Sequence, residues 1–354
     1  MRIIILLFGL FTFQADFHDR FYFEKIDVTD DGQYIAGISA SDVVMIDATT
    51  QKIVTKYNIG GSRLLNIKIS GNGKYLVWTQ NWEMYHAEFV DEEIINVTKL
   101  NVAKSWLDLD INYDGSRIIA TQDFSRPSKN SCQPGQRLIL EMRRDGNPFS
   151  YRMVESTLTP CYWLSNCELL PDSSLLYVRH EANKFPQQYD LIEATADGKN
   201  WTYKVIKDST AFTARQSVSA NGDLLMYDCG FYILSKDKKG NWEKEDVLPP
   251  NDICIGNWNS AISPDGKTIV YIRDYRKDGY VQYSEFWITK KVDNEWTTPQ
   301  LFLAPDAERF IQSIADFRLS NFNFMIANRN GYLYLKSTLE ENLESDWIEL
   351  KNDN

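Results

Sequence analysis

A recurring alternation of apolar and polar positions around a tight turn runs along most of the chain. In the clearest copy, Ile262 leads into the turn Ser263-Pro-Asp-Gly266, and the β-branched and aromatic stretch 268–272 follows. Proline presets φ in such a turn, glycine supplies a positive φ, and the flanking residues favour a pleated strand, so the pattern predicts a β-hairpin. Related turns occur at Thr29–Gly32, Ser70–Gly73, Asn112–Gly115, Leu170–Ser173, Ser219–Gly222 and Ser320–Asn323.

Two positions before each turn keep the same character in every copy. The residues directly before the turns are apolar: Val28, Ile69, Ile111, Leu169, Val218, Ile262 and Leu319. Those three positions earlier are polar, on the opposite face of a strand: Lys25, Asn66, Asp108, Asn166, Arg215, Asn259 and Asp316. The turns lie 41 to 58 residues apart, which matches one blade each. The sequence therefore predicts an all-β fold, a single seven-bladed β-propeller of four-stranded antiparallel blades, with six or eight blades as alternatives.

The sixth copy also carries a family resemblance. Ser263-Pro-Asp-Gly-Lys-Thr-Ile-Val-Tyr271, followed by Phe286-Trp-Ile-Thr289, resembles the WD40-like (PD40) repeat of TolB-type propellers. The resemblance extends over roughly residues 20–354. It implies the propeller fold and no particular chemistry, because such propellers serve as binding platforms, substrate gates and occasional enzymes.

The first 15 residues differ from the repeats. They contain one basic residue, Arg2, and then an apolar run that is too short to cross a bilayer. We interpret 1–15 as a secretory signal peptide and 16–354 as the propeller domain; a buried first strand is the alternative. The prediction is a secreted or periplasmic protein, without a transmembrane segment. Asn96 and Asn200 begin glycosylation acceptor tripeptides if the source is eukaryotic.

The charge of the chain limits its partners. A net charge of −11 argues against binding to nucleic acid or to an anionic membrane surface. The ten Trp, nineteen Tyr and eighteen Phe are better explained by packing between blades than by base stacking.

Three insertions make some repeats longer than others. They cover about 124–136, 181–189 and 274–284, and each follows the second strand of its blade. Connections at that end project from the face opposite the Asp-Gly turns, and long loops on a rigid scaffold often carry binding residues. We therefore predict that a protein, peptide or glycan partner binds a monomer there; tolerated variation in loop length is the alternative. The candidate residues are Arg126, Lys129, Lys184, Phe185, Tyr189, Tyr275, Arg276, Lys277, Tyr280 and Tyr283.

Five cysteines in an exported chain favour disulfides, and an odd count leaves one over. We predict Cys132–Cys161 and Cys229–Cys254, because each pair relates one blade to its successor on the same face. Cys167 falls within an inner strand and is predicted to be a buried free thiol. Pairing of Cys161 with Cys167 is the main alternative.

Candidate catalytic chemistry is sparse. The three histidines, His18, His86 and His180, lack metal-ligand spacing, and there is no Gly-x-Ser-x-Gly nucleophile motif. We therefore expect no catalytic residue, metal or cofactor.

One row of charges, two residues before the turns, is the exception. Opposite signs alternate along this row, which favours structural ion pairs between blades. The alternative is a hydrolase or lyase in which carboxylates at the channel mouth act as acid and base. The residues are Asp27, Lys68, Asp110, Glu168, Ser217, Ala261 and Arg318.

Overall fold

We describe the fold from a computed structural model. It describes residues 23–348 except for 40–41, 51, 61–63, 103–105, 124–136, 146–148, 158–161, 173, 182–188, 199, 210–216, 228–231, 246–259, 278–279, 304–313, 322, 329–332 and 338–346. All regular structure in these residues is β-strand. The segment predicted to be a signal peptide, 1–15, lies outside them, as do Cys132, Cys161, Cys229 and Cys254.

The described strands form antiparallel sheets whose strands follow one another in chain order. Sheets 1 and 2 comprise β1 (Phe23–Val28), β2 (Tyr34–Ser39), β3 (Asp42–Asp47), β4 (Lys52–Asn58), β5 (Leu64–Ile69), β6 (Tyr75–Gln80), β7 (Glu83–Val90) and β8 (Glu93–Lys99). Sheets 3 and 4 comprise β9 (Trp106–Ile111), β10 (Arg117–Asp123), β11 (Arg137–Arg143), β12 (Ser150–Thr157), β13 (Tyr162–Leu169), β14 (Ser174–Glu181), β15 (Tyr189–Asp197) and β16 (Asn200–Ser209).

The remaining strands complete three further sheets. Sheet 5 comprises β17 (Ser217–Val218), β18 (Leu224–Tyr227), β19 (Tyr232–Lys236) and β20 (Trp242–Glu245). Sheet 6 comprises β21 (Ser260–Ile262), β22 (Thr268–Lys277), β23 (Tyr280–Val292), β24 (Glu295–Trp296) and β25 (Gln300–Leu303). Sheet 7 comprises β26 (Ile314–Leu319), β27 (Asn323–Asn328), β28 (Leu333–Ser337) and β29 (Trp347–Ile348).

We call a sheet a complete blade when four strands of at least three residues each pair in succession. Only five of these sheets meet this definition, namely sheets 1, 2, 3, 4 and 6. Within the described residues, sheet 5 begins with a two-residue strand, Ser217–Val218, and sheet 7 ends with one, Trp347–Ile348. Sheet 6 has a fifth strand, because both β24 and β25 pair with β23. The prediction of seven four-stranded blades is therefore wrong. The repeat identifies turns, whereas a complete blade also needs its first and last strands to pair along their length.

The turns lie on one face, as the repeat predicts. Five of them place a glycine at positive φ, between 69° and 76°: Gly32, Gly73, Gly115, Gly222 and Gly266. Backbone hydrogen bonds join neighbouring turns, with Asp30 N donating to Gly71 O at 3.1 Å and Asn72 N to Tyr113 O at 3.0 Å. Asn321 N donates to Asp30 O at 3.1 Å, so the last sheet adjoins the first. We call this surface the Asp–Gly face.

The core lies between successive sheets. Ile38 and Met45 of sheet 1 pack with Trp78 and Phe89 of sheet 2, and Trp78 is fully buried. Strand alternation explains this arrangement, because every second side chain of the middle strands faces the neighbouring sheet.

The two middle strands of sheet 6, β22 and β23, are long and pair with each other. Among the described residues, β21 pairs with β22 at 269–271 and β25 pairs with β23 at 286–288, and the residues before β21 (246–259) and after β25 (304–313) lie outside them. The two middle strands pair with each other as far as Lys277 and Tyr280. We call the strand pair formed by 272–277 and 280–285 the sheet-6 hairpin. The prediction of a loop at 274–284 is corrected for 274–277 and 280–284, which form a strand pair, because these residues continue the hydrogen-bonded register.

Candidate functional site

Charged side chains on the inner strands form a connected set, which we call the inner-strand charge ring: Asp27, Lys68, Asp110, Glu168 and Arg318. Arg318 Nε donates to Asp27 Oδ1 at 3.2 Å. Lys68 Nζ lies 4.0 Å from Asp27 Oδ1 and 3.4 Å from Asp110 Oδ1. These contacts link sheet 7 to sheet 1, sheet 1 to sheet 2 and sheet 2 to sheet 3. The alternation of sign therefore gives ion pairs between successive sheets, as predicted.

The carboxylates of the ring also accept backbone hydrogen bonds from the next sheet. Asp27 Oδ2 accepts from Ile69 N at 2.9 Å, and Asp110 Oδ2 accepts from Leu169 N at 2.8 Å. Ser217, at the equivalent position of sheet 5, accepts from Ile262 N at 3.1 Å through its hydroxyl. In sheets 1, 3 and 5, an acceptor two residues before the turn thus satisfies a backbone donor of the following inner strand.

The pKa values of residues in the ring reflect their burial. Burial and the Asp110 carboxylate raise the pKa of Glu168 well above its ordinary value. Burial also raises the pKa of Asp110. Burial opposes the charge of Lys68, but Asp27 and Asp110 outweigh it and raise the pKa of Lys68. Burial of the charged groups of the ring is thus unfavourable, and the cations and carboxylates offset this cost by interacting with one another.

Asp30 lies above the ring on the Asp–Gly face. Burial, followed by Asp27 and Asp31, raises the pKa of Asp30 to about 6. Groups with such shifts occur at functional sites and also in structural ion-pair networks. In the part of the chain that the structure describes, no three His, Cys, Asp or Glu residues are placed to hold a metal ion. The hydrogen bonds and ion pairs of the ring make a structural network the better description.

The predicted partner-binding residues divide into three groups. Arg126, Lys129, Lys184 and Phe185 lie outside the described residues. Five lie on the sheet-6 hairpin: Tyr275, Arg276, Lys277, Tyr280 and Tyr283. In its register, Tyr275 is opposite Tyr283 and Lys277 is opposite Tyr280. Because β22 begins beside the turn at Gly266 and runs away from it, the hairpin lies toward the face opposite the Asp–Gly turns.

Tyr189 forms the third group and does not belong with the others. It begins β15 and is only 3 % exposed, packed in a core with Val178 and Leu191. Its assignment to a binding surface is corrected for this reason: it pairs opposite His180 in the ladder and faces the core. Cys167 is a free buried thiol on β13, as predicted, and burial followed by the Asp108 charge raises its pKa well above its ordinary value.

The sequence reasoning missed an arginine cluster between sheets 3 and 4. Glu141, on β11, is fully buried and contacts Arg117, Arg143 and Arg152. A signal for this cluster is present in the sequence, since Glu141 and Arg143 occupy alternate positions of a strand in which 138–140 and 142 are apolar. Alternate charges in a middle strand of a blade indicate a polar contact with the next blade.

These features together define a β-propeller. No protein-family model matches the chain, and no curated protein matches its sequence. Two solved structures show a similar β-propeller fold. The Cps50 (Swd1) β-propeller domain of Myceliophteria thermophila has a TM-score of 0.62 at 10% identity, covering 90% of this chain and 97% of that one. KlHsv2 with loop 6CD replaced by a Gly-Ser linker has a TM-score of 0.58 at 14% identity, covering 94% and 98%.

The likeness to these structures concerns the fold alone, given the low identities. Hsv2 of Kluyvelomyces marxianus agrees with them, at a TM-score of 0.55 and 9% identity over 93% of this chain and 96% of that one. A search of the described residues for a helix with the length and apolar character of a membrane span found none.

Proposed function

We propose that this protein is an exported binding module, a propeller that holds a protein, peptide or glycan partner on the face opposite the Asp–Gly turns. The observation that carries the proposal is the sheet-6 hairpin, in which 272–277 and 280–285 pair as a continuation of the two middle strands toward the face opposite the Asp–Gly turns. A strand pair anchored in a complete blade presents its residues on a rigid support. This lowers the entropy lost when a partner binds.

The composition of the hairpin supports recognition of a macromolecule. It combines Tyr275, Tyr280 and Tyr283 with Arg276 and Lys277. Tyrosine contributes large contact area with few rotatable bonds, and tyrosine and arginine are enriched among residues that dominate binding energy. Basic residues at the rim of a site accelerate association with an acidic partner. Arg126, Lys129, Lys184 and Phe185 extend the proposed surface, because their segments follow the ends of β10 and β14 that lie away from the turns.

The proposal includes two finer assignments. The repeats are WD40-like units of the TolB type, supported by Ser263-Pro-Asp-Gly266 and its flanking strands. Export is supported by the apolar segment 1–15. N-terminal sequencing of protein from the native source tests export: a mature chain that begins near residue 16 supports it, and an intact Met1 contradicts it.

Binding is tested with paired variants. The biotinylated protein is used as bait in the secreted or periplasmic fraction, and recovered proteins and glycans are identified by mass spectrometry. Tyr275→Ala/Tyr280→Ala should lose the specific partner. Tyr113→Ala is the matched control, because Tyr113 is 62 % exposed on the Asp–Gly face. A partner that binds the double variant as well as wild type, or that is lost only with Tyr113→Ala, contradicts the assignment of the face.

A further inference from the structure

The arginine cluster defined above has more positive charge than its single carboxylate can neutralise. Glu141 Oε1 lies 2.8 Å from Arg117 Nε and 3.2 Å from Arg143 Nη2, and Oε2 lies 2.6 Å from Arg152 Nη2. Three guanidinium groups thus surround one carboxylate, an excess of two positive charges. Burial alone would raise the pKa of Glu141, but the hydrogen bonds from Arg117 and Arg143 outweigh it and lower that pKa.

Two of the three arginines are held in place by other contacts. Arg117 Nη1 donates to Leu170 O at 3.1 Å. Arg152 Nη1 donates to Gly198 O at 2.7 Å, and its guanidinium lies 4.2 Å from the centroid of the Trp201 ring. Both arginines therefore connect sheet 3 to sheet 4 and serve the scaffold.

Arg143 differs from them. Its side chain is 38 % exposed and makes one contact with Glu141, whereas its Nε is buried and has no hydrogen-bond partner in the described structure. Within the described residues, neither Arg143 nor Arg152 has a second carboxylate within 4.0 Å. A buried guanidinium donor without a partner is costly, and such groups in native proteins are commonly satisfied by water or by a bound ion.

We propose that Arg143, with Arg152 behind it, binds a phosphate group at the rim between sheets 3 and 4. Guanidinium groups bind phosphate oxygens through parallel hydrogen bonds. A phosphate monoester carries about −1.5 to −2 at pH 7 and so matches the excess of two charges, whereas one further carboxylate would match only half of it.

Inorganic phosphate and O-phospho-L-serine are the probes. Each is titrated into the full-length protein by calorimetry, with sodium chloride of equal ionic strength as reference. Wild type should bind phosphate, and Arg143→Gln should weaken binding by about tenfold or more, as expected for loss of a charge-assisted pair. Arg144→Gln is the matched control, because Arg144 carries the same charge at the next position but lies over the Tyr75 ring, 3.6 Å from its centroid. It should change the affinity by less than about threefold.

Two further comparisons complete the experiment. Arg143→Lys keeps the charge and loses the planar fork, so it should fold and still bind more weakly than wild type. Tighter binding of O-phospho-L-serine than of inorganic phosphate assigns the site to a phosphorylated ligand, and equal affinities assign it to the free ion. The proposal is overturned if phosphate binds no better than chloride, or if Arg143→Gln and Arg143→Lys both bind phosphate as wild type does. This site is independent of the proposed partner surface on the opposite face.

Discussion

Arg318 Nε donates to Asp27 Oδ1 at 3.2 Å, although 291 residues separate the two along the chain. The contact joins the inner strand of sheet 7 to that of sheet 1. Asp27 also accepts from Ile69 N and faces Lys68, so one carboxylate connects three successive sheets. Closure of the propeller thus has an electrostatic component beside the packing between sheets.

Arg318→Met should therefore lower the free energy of unfolding by about 1–3 kcal/mol, between the values for exposed and for buried ion pairs. The side chains of Arg318 and Asp27 are 25% and 12% exposed, which places them between those limits. Urea unfolding of Arg318→Met, Asp27→Asn and the double variant gives the coupling energy. The exposed Lys239→Met is the control and should change stability by less than about 0.5 kcal/mol. Additive effects of the two substitutions would show that the contact does not contribute to closure.

Asp30→Asn should stabilise the protein at pH 7. Burial and the nearby carboxylates Asp27 and Asp31 raise the pKa of Asp30 from 3.8 to about 6. The folded state then binds a proton more tightly than the unfolded state, so the stability from this group is complete below pH 3.8 and is lost as the pH rises through 6. The substitution by asparagine removes the negative charge whose burial is unfavourable. Because Asp30 is partly exposed, solvent screening reduces the expected gain to about 1 kcal/mol.

Thermal unfolding from pH 3.5 to 7.5 measures this effect. The difference between Asp30→Asn and wild type should be small at pH 3.5 and largest above pH 6. Asp91→Asn, at an exposed turn, is the control. A difference that does not depend on pH would contradict the explanation.

His86→Phe should remove an acid-sensitive contribution to stability. Burial, followed by Arg144, lowers the pKa of His86 from 6.5 to about 4. The unfolded state binds the proton more tightly, so stability from this group is complete above pH 6.5 and is lost as the pH falls through 4, by up to about 3 kcal/mol. Phenylalanine keeps an aromatic ring between Tyr75 and Phe149, and the Nε2 atom of His86 has no hydrogen-bond partner to lose.

The measurement is the free energy of unfolding at pH 4.5 and at pH 7. The loss of unfolding free energy from pH 7 to pH 4.5 should be smaller in His86→Phe than in wild type. Asp30 has the opposite pH dependence in the same range, so each variant is compared with wild type at the same pH. An unchanged pH dependence in His86→Phe would show that His86 does not titrate as described.

The disulfides remain a prediction, because four of the cysteines lie outside the described residues. We expect Cys132–Cys161 and Cys229–Cys254, with Cys167 reduced, as its buried free thiol indicates. Each bridge should stabilise the protein by about 3 kcal/mol. Peptide mapping without reduction identifies the linked peptides, and a Cys161–Cys167 peptide would refute the scheme.

The sequence determined the local elements of the fold. Glycine at the turns and the alternation around them were sufficient to predict antiparallel strands, the shared face of the turns and the inner-strand charge ring. These features depend on φ preferences and on the two-residue period of a strand, which are properties of neighbouring residues. The alternation of sign from Asp27 to Lys68 to Asp110 was informative because equivalent positions of successive repeats become neighbours in space.

Only the tertiary structure decided how far the strands pair. Four features depend on contacts between distant segments: the number of complete blades, the strand character of 274–277 and 280–284, the burial of Tyr189, and the grouping of three arginines around Glu141. Arg152 on β12 and Trp201 on β16 meet across the boundary between sheets 3 and 4. The free energy of such packing depends on both contacting surfaces together. The residues that neighbour one surface in the chain do not specify the surface that packs against it.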